Sequence, residues 1–245
     1  MPRSMTADRQ PPLVLGIESS CDDTACAVVD GAGRVLASVV SSQLEAHRPF
    51  GGVVPEIASR EHLRNWPAVS AEALELAGVG LDEIQVLSAT RGPGLIGCLL
   101  VGLSLGRSIA WARGLPFHAV HHLEGHLYSP FLDPEGGPAG EVPDRFHGLV
   151  VSGGHTALYR VEGGATTTLA ETRDDAMGEV FDKIGKRLGL PYPQGPVVDE
   201  LAEGGDPARF RLSIARCSDG SNDFSYSGLK SQTLLEVEKL EAAGT

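Results

Sequence analysis

Apolar residues gather in short runs near the start of the chain, at 13–17, 24–29 and 35–40, with polar segments between them. The first divider is Glu18-Ser19-Ser20-Cys21-Asp22-Asp23, a stretch of small hydroxyls and carboxylates, and the second is Asp30-Gly31-Ala32-Gly33, which is turn chemistry. Runs of this length with such boundaries predict a strand, a polar loop, a strand, a hairpin and a third strand. The plan returns later: residues 148–151 are apolar, Ser152-Gly153-Gly154-His155 is the polar loop, and 156–161 is a run that turns at Glu162-Gly163-Gly164. Setting Thr24-Ala25 on Thr156-Ala157 also brings Asp30-Gly31 onto Glu162-Gly163, so the pattern predicts a duplicated βββ unit. Two strand-loop-strand units with Gly/Ser/Asp-rich tips suit a two-lobed protein that holds a phosphate-bearing ligand between facing tips.

Helical patterns follow each unit. Residues 67–77 are good helix formers behind a proline, which predicts a helix starting at Pro67. Residues 84–89 read as a buried strand, and Arg91-Gly92-Pro93-Gly94 introduces a helix over 95–113 in which Gly97, Gly102 and Gly106 permit close packing. Further on, 176–188 predicts a helix, the prolines within 191–196 break it, 197–203 resumes one, and 234–243 is helix-like. Strands followed by helices in a repeated order predict an α/β fold. The most apolar stretch, 95–105, contains glycines and runs into Arg107, short of the roughly 18–20 residues a bilayer crossing needs. A core helix is therefore expected there and no membrane span.

Composition narrows the class. With 245 residues, 42% hydrophobic and 21% charged, the chain has the apolar content of a globular protein and enough length for one large or two ordinary domains. Residues 1–12 are polar with no apolar segment, which predicts a disordered tail before a first lobe at 13–126 and a second at 127–245, no secretory signal and a cytoplasmic address. The 4 cysteines are scattered without a CxxC pair, so neither a disulfide framework nor a cysteine zinc site is indicated. A net charge of −12 argues against an extended nucleic-acid surface, although a nucleic acid gripped locally or delivered by a partner fits.

Three constellations carry candidate chemistry. His122 and His126 in His121-His122-Leu123-Glu124-Gly125-His126 are four residues apart, so on a helix both imidazoles leave one face and can share a metal ion; ordinary surface or core histidines have the same spacing. In the zinc-protease motif a glutamate follows the first histidine directly, whereas Glu124 is displaced by one position, about 100° around the helix, which weakens a protease reading. Ser152-Gly153-Gly154-His155-Thr156 follows a strand, and consecutive glycines there let backbone N–H groups approach a phosphate, with Ser152 and Thr156 as hydroxyl donors; a tight turn has the same pattern. It is neither a Walker A loop nor a Gly-x-Gly-x-x-Gly fingerprint. Asp182 and Asp199 flank Pro/Gly breaks, where carboxylates can hold ribose hydroxyls or stand as solvated helix charges.

Seven segments then occur in one order: Gly16-Ile17-Glu18-Ser19-Ser20-Cys21-Asp22-Asp23-Thr24, Gly51-Gly52-Val53-Val54-Pro55-Glu56-Ile57-Ala58-Ser59-Arg60, Gly92-Pro93-Gly94-Leu95, His122-Leu123-Glu124-Gly125-His126, Val151-Ser152-Gly153-Gly154-His155-Thr156, Gly178-Glu179-Val180-Phe181-Asp182-Lys183 and Asp223-Phe224-Ser225-Tyr226-Ser227-Gly228-Leu229-Lys230. This order resembles the TsaD family, the tRNA N6-adenosine threonylcarbamoyltransferases formerly called glycoproteases. The resemblance implies an actin-like, sugar-kinase-like two-lobed fold of duplicated βββ-α units, and metal-assisted transfer of a threonylcarbamoyl group from threonylcarbamoyl-adenylate to N6 of adenosine 37 in tRNAs that read ANN codons.

It further implies that His122 and His126 bind one divalent metal ion, iron or zinc, and that Val150, Val151, Ser152, Gly153, Gly154, Asp182, Gly195 and Asp199 contact the substrate, with ATP or ADP as further nucleotides. Its implied partners are tRNA, the accessory proteins TsaB, TsaE and a TsaC-like enzyme, and a dimeric assembly, with no membrane. Two departures stand out. The family usually has two glycines where this chain has Gln194-Gly195, and its members run on to a further glycine segment and a carboxylate that completes the metal site, so a truncated chain with an incomplete second lobe is expected. The alternatives are a non-catalytic paralogue acting as a dimerisation scaffold, which by the same resemblance lacks the histidine pair, and a metallopeptidase, disfavoured by Glu124.

Overall fold

The computed structural model describes residues 11–133, 137, 140–214, 216–217 and 219–244. The expected tail at 1–12 lies outside the described residues, apart from Pro11 and Pro12. The chain separates into two compact units, Met1–Val142 and Pro143–Thr245.

The first unit is built on a five-stranded mixed sheet with strand order β3-β2-β1-β4-β5. Its strands are β1 (Leu13–Glu18), β2 (Asp23–Asp30), β3 (Val35–Ser42), β4 (Val86–Gly92) and β5 (Phe117–His121). The first three pair antiparallel, and β4 and β5 continue the sheet parallel to β1. The helices are α1 (Leu44–His47), α2 (Pro55–Ala77), α3 (Ile96–Arg113) and α4 (His122–Tyr128). Alternation sends Leu15 and Ile17 of β1, Cys26 and Val28 of β2 and Leu87 and Ala89 of β4 into one core, where they meet Trp66, Val69 and Ala73 of α2 and Ala110 of α3. Burying a Leu or Ile side chain fully contributes about 1.5–3 kcal/mol, and Leu15, Ile84 and Leu87 are all but inaccessible.

The helix expected from Pro67 begins instead at Pro55. Pro67 has no N–H to donate to the preceding turn, so on sequence it reads as a start. The buried stripe Ala58, His62, Trp66, Val69, Ala73 runs straight past it and leaves Pro67 on the solvent side, where a missing hydrogen bond is tolerated. Helix α3 spans 18 residues with mean hydropathy 1.2, so by length and composition it does reach the lower limit for crossing a membrane, contrary to the sequence expectation. One side of it packs on the sheet, where Gly102 and Gly106 lie so close to β1 and β5 that a methyl group at 106 would sit 2.8 Å from the Phe117 ring. Ile96, Leu100 and Trp111 are exposed, however, so it is a half-buried helix rather than the core helix expected. The first unit also extends past residue 126, because Leu123 and Leu127 bury one side of α4 against β4 and β5.

The second unit repeats the opening plan: β6 (Arg145–Val151), β7 (Thr156–Glu162) and β8 (Ala165–Glu171) form an antiparallel sheet, followed by α5 (Met177–Arg187), α6 (Gln194–Ala202) and α7 (Ser227–Ala242). The register supports duplication residue by residue. Glu18 faces Ala25 in the first pair and Val150 faces Ala157 in the second, as required when Thr24 is set on Thr156. Gly163 and Gly164 make the β7–β8 turn with φ of +56° and +76°, the left-handed region that glycine enters without steric cost. Among the described residues this sheet has three strands, so the βββ-α plan is present and the counterparts of β4 and β5 are not. The α/β class with a repeated βββ-α unit is as expected.

Candidate functional site

The parallel strands β1, β4 and β5 end side by side, and in open α/β sheets ligands gather at the carboxyl ends of strands. Glu18 closes β1, Thr90 lies near the end of β4, and His122 follows β5 directly as the first residue of α4. His126 is one turn further on, and its Nε2 lies 3.1 Å from Nε2 of His122 with the rings edge to face. Two imidazoles bound tetrahedrally to one zinc ion at ordinary bond lengths have nitrogens about 3.3 Å apart, so the pair fits a shared metal ion. On the other side of the His122 ring, Nδ1 lies 3.1 Å from Oε2 of Glu18. Burial alone would raise the Glu18 carboxyl, but hydrogen bonds from His122, Ser20 and Thr90 outweigh it and hold the group at about 2. Burial, together with the neighbouring His122, lowers His126 below the usual histidine value. Among the described residues no group of three metal-binding side chains forms, so a metal ion held by this pair would need other donors for its remaining positions.

The loop after β1 is fastened from several directions. The Ser19 hydroxyl donates to the Cys98 carbonyl at 2.9 Å and accepts the Gly102 N–H at 3.2 Å, and the Leu95 N–H donates to the Ser20 carbonyl at 2.8 Å. Gly94, at φ +153°, lies so close to the Ser20 backbone that no side chain fits, which explains the glycine at this position. Beneath the loop, His62 and His47 are both fully buried. His62 donates through Nε2 to the Cys21 carbonyl at 3.1 Å, while its Nδ1 receives the Thr24 hydroxyl at 2.8 Å. Val54 N–H donates to Nδ1 of His47, leaving His47 Nε2 to donate to Gln43. Both rings are therefore satisfied as neutral tautomers. Sequence reading missed His62; its signal was the four-residue spacing Ala58, His62, Trp66 along the buried face of α2.

The glycine loop of the second unit is equally well fixed, in a manner that redistributes the expected roles. Thr156 is 2% exposed and its hydroxyl accepts the Met177 N–H at 2.9 Å, so it anchors α5 and is not a donor to ligand. The Ser152 hydroxyl accepts the His155 N–H at 3.1 Å, within the loop itself. Val150 points into the core and Val151 to the surface, which leaves the backbone as the part of this strand end that a ligand can use. Among the described residues the Gly153 and Gly154 N–H groups make no intrachain hydrogen bond, and both glycines are exposed, as an anion-binding turn requires.

Asp182 accepts the Gly195 N–H at 2.8 Å, which joins α5 to the first turn of α6. Asp199 is exposed on α6. Gln194 is buried over Gly185: a methyl group on that glycine would be 2.6 Å from the Gln194 Cβ. Lys183 pairs with Asp175 and Glu179 rather than with Asp182, and Lys230 joins it on Asp175. Asp174 accepts the Tyr226 and Ser227 N–H groups and both neighbouring hydroxyls, which overcome burial and hold its carboxyl at about 2. The Asp223–Lys230 motif thus fastens α7 to the segment that leads into α5.

The model of the TsaD family, described as tRNA N6-adenosine threonylcarbamoyltransferase, matches residues 34–243. Curated proteins of that description from Pelobacter propionicus and Geobacter sulfurreducens are each 54% identical over 228 residues, covering 93% of this chain and 65% of theirs. The chain thus spans about 65% of the length of the curated relatives it matches. Among solved structures, YeaZ from Pseudomonas aeruginosa is 18% identical with a TM-score of 0.42 over 64% of each chain. Component A of the (R)-2-hydroxyglutaryl-CoA dehydratase of Acidaminococcus fermentans is 17% identical with a TM-score of 0.49, over 93% of this chain and 68% of that one. With the family model running from the start of β3 through the whole of α7, the chain belongs to the TsaD family.

Proposed function

We propose that the protein takes part in transferring a threonylcarbamoyl group from threonylcarbamoyl-adenylate to N6 of adenosine 37 in tRNAs that read ANN codons, in the cytoplasm, where tRNA is found and where 4 free cysteines stay reduced. Beyond family membership, the observation that carries this reading is the facing pair of Nε2 atoms, 3.1 Å apart, on His122 and His126. These residues would hold an iron or zinc ion, which when bound supplies Lewis acidity or a template for the threonylcarbamoyl oxygens. The Gly153 and Gly154 N–H groups would receive the adenylate phosphate. Asp182, Gly195 and Asp199 would border the nucleoside, with Asp182 setting the start of α6 through its bond to Gly195. The substrate is a mixed anhydride with AMP as leaving group, so these residues chiefly have to hold its carbonyl near the adenine amine and stabilise developing charge. No side chain is needed as a nucleophile. TsaB, TsaE and a TsaC-like enzyme are the proposed partners, ATP or ADP the further nucleotides, and dimer formation is part of the proposal.

Metal analysis of purified chain tests the site. The wild-type protein is expected to retain iron or zinc, and His122→Ala and His126→Ala are each expected to lose it. The loss should exceed the roughly 10–100-fold drop in affinity that follows removal of a residue merely supporting a ligand. Metal absent from all three proteins favours the scaffold reading. Incubation with tRNA, threonine, bicarbonate, ATP and the adenylate-forming enzyme, with and without the accessory proteins, tests the transfer itself. Cleavage of protein substrates in a metal-dependent manner would reverse the preference over a peptidase.

A further inference from the structure

We infer that Glu18 is a positioning residue of the histidine pair: its carboxylate holds the His122 ring through Nδ1 so that Nε2 is presented, unprotonated, on the side of His126. The inference rests on the metal-binding reading of His122 and His126 and adds to it a residue 104 positions away in sequence from the one it controls.

The hydrogen bonds around Glu18 carry the assignment. Oε1 accepts the Ser20 N–H, and Oε2 accepts the Thr90 hydroxyl at 2.6 Å. The same Oε2 lies 3.1 Å from Nδ1 of His122. An ionised carboxylate only accepts, so the proton of a neutral His122 ring belongs on Nδ1, and Nε2 keeps its lone pair. Metal-binding histidines characteristically donate their remote N–H to a carboxylate or carbonyl, which fixes both tautomer and ring angle. Glu18 is itself held by residues from two elements, the backbone of Ser20 in the loop after β1 and Thr90 near the end of β4. Because β1, β4 and β5 lie side by side in parallel, the sheet sets the Glu18–His122 distance, and α4 adds only the helical turn from His122 to His126. Glu18 is not placed as a third ligand, since it meets the ring nitrogen opposite the one that faces His126.

Zinc affinity, measured by competition with a chromogenic chelator on Glu18→Ala, Glu18→Gln and Thr90→Val proteins, reads the effect. Glu18→Ala is expected to bind zinc about 10–100-fold more weakly than wild type. Glu18→Gln, whose amide oxygen can still accept from Nδ1–H while its amide nitrogen no longer accepts the Ser20 N–H, should recover part of that loss, and Thr90→Val should fall between wild type and Glu18→Ala. Nitrogen-15 NMR of the histidines in metal-free protein provides the second readout: His122 should be the Nδ1–H tautomer in wild type and a mixture in Glu18→Ala. Zinc bound to Glu18→Ala as tightly as to wild type, or equal losses in Glu18→Ala and Glu18→Gln, overturns the positioning role while leaving the histidine pair as ligands. Wild-type protein that binds no zinc overturns the metal reading instead, and the NMR tautomer still decides whether Glu18 controls the ring. If Glu18→Ala does not fold, Thr90→Val and Glu18→Gln decide the matter: wild-type zinc affinity and an unaltered His122 tautomer in Thr90→Val overturn the role.

Discussion

A chain carrying His62→Leu is expected to unfold about 2–5 kcal/mol more readily than wild type. The substitution removes the acceptor of the Thr24 hydroxyl and the donor to the Cys21 carbonyl, and each buried polar group left without a partner costs about 1–3 kcal/mol. Leucine refills most of the ring's volume, so the loss reports polar groups rather than a cavity. Adding Thr24→Val should recover part of it, because removing both members of a buried hydrogen bond is less harmful than removing one. Denaturant unfolding of the two variants measures this. A double variant as unstable as the sum of the single ones would show that the two residues do not depend on each other.

The same residue predicts how stability varies with pH. Burial disfavours the charged imidazole and lowers His62 below its ordinary value, although the Cys21 carbonyl and the carboxylates of Glu18, Asp22 and Asp23 oppose the shift. An unfolded histidine titrates near 6.5, so below about that pH the unfolded chain takes up a proton that the folded chain refuses. Acid therefore favours unfolding: the contribution of His62 is intact above pH ~6.5 and declines as the pH falls toward its lowered folded value, by at most about 1.4 kcal/mol per pH unit. In His62→Leu this part of the slope should vanish. His126, which is also held low, is present in both proteins and cancels in the comparison. Equal slopes in the two proteins between pH 7 and 5 would refute the assignment.

What could be read in advance follows the distance over which each signal acts. Periodicity revealed both βββ units, because alternation and turn glycines are local, and the Thr24–Thr156 correspondence holds in the strand register. The four-residue spacing of His122 and His126 was legible for the same reason. Glu18 was visible only as part of a polar loop, since its role depends on three strands ending side by side. Pro67 misled because a proline's missing donor marks either a helix start or an exposed interior position, and only the packing of α2 chooses between them. The Thr156 hydroxyl reads on sequence as an available donor to a ligand, yet it holds the first N–H of α5.

Gly178→Ala should bring the second large effect, on the Ser152 loop. A methyl group at 178 would lie 2.6 Å from the Ser152 carbonyl oxygen, 2.7 Å from its carbon and 2.8 Å from the Gly153 nitrogen, all of them backbone atoms. No rotamer change can relieve that, so the loop or the start of α5 has to shift, and the Gly178 N–H bond to the Ser152 carbonyl at 3.2 Å is lost with it. Overpacking of this kind costs about 1–3 kcal/mol, against a gain of up to about 1 kcal/mol from replacing glycine by alanine in a helix. The net stability loss is therefore expected to be modest, near 1–2 kcal/mol, while the effect on an adenylate ligand is larger, because a loop displaced by about 1 Å no longer aims the Gly153 and Gly154 N–H groups at one phosphate. Thermal unfolding and calorimetric titration with a non-hydrolysable threonylcarbamoyl-adenylate analogue separate the two, with binding expected to weaken by 10-fold or more. Gly153→Ala is the comparison for stability, since nothing lies within 4 Å of a methyl group there. Wild-type affinity in Gly178→Ala would mean that the junction between this loop and α5 does not shape the phosphate site.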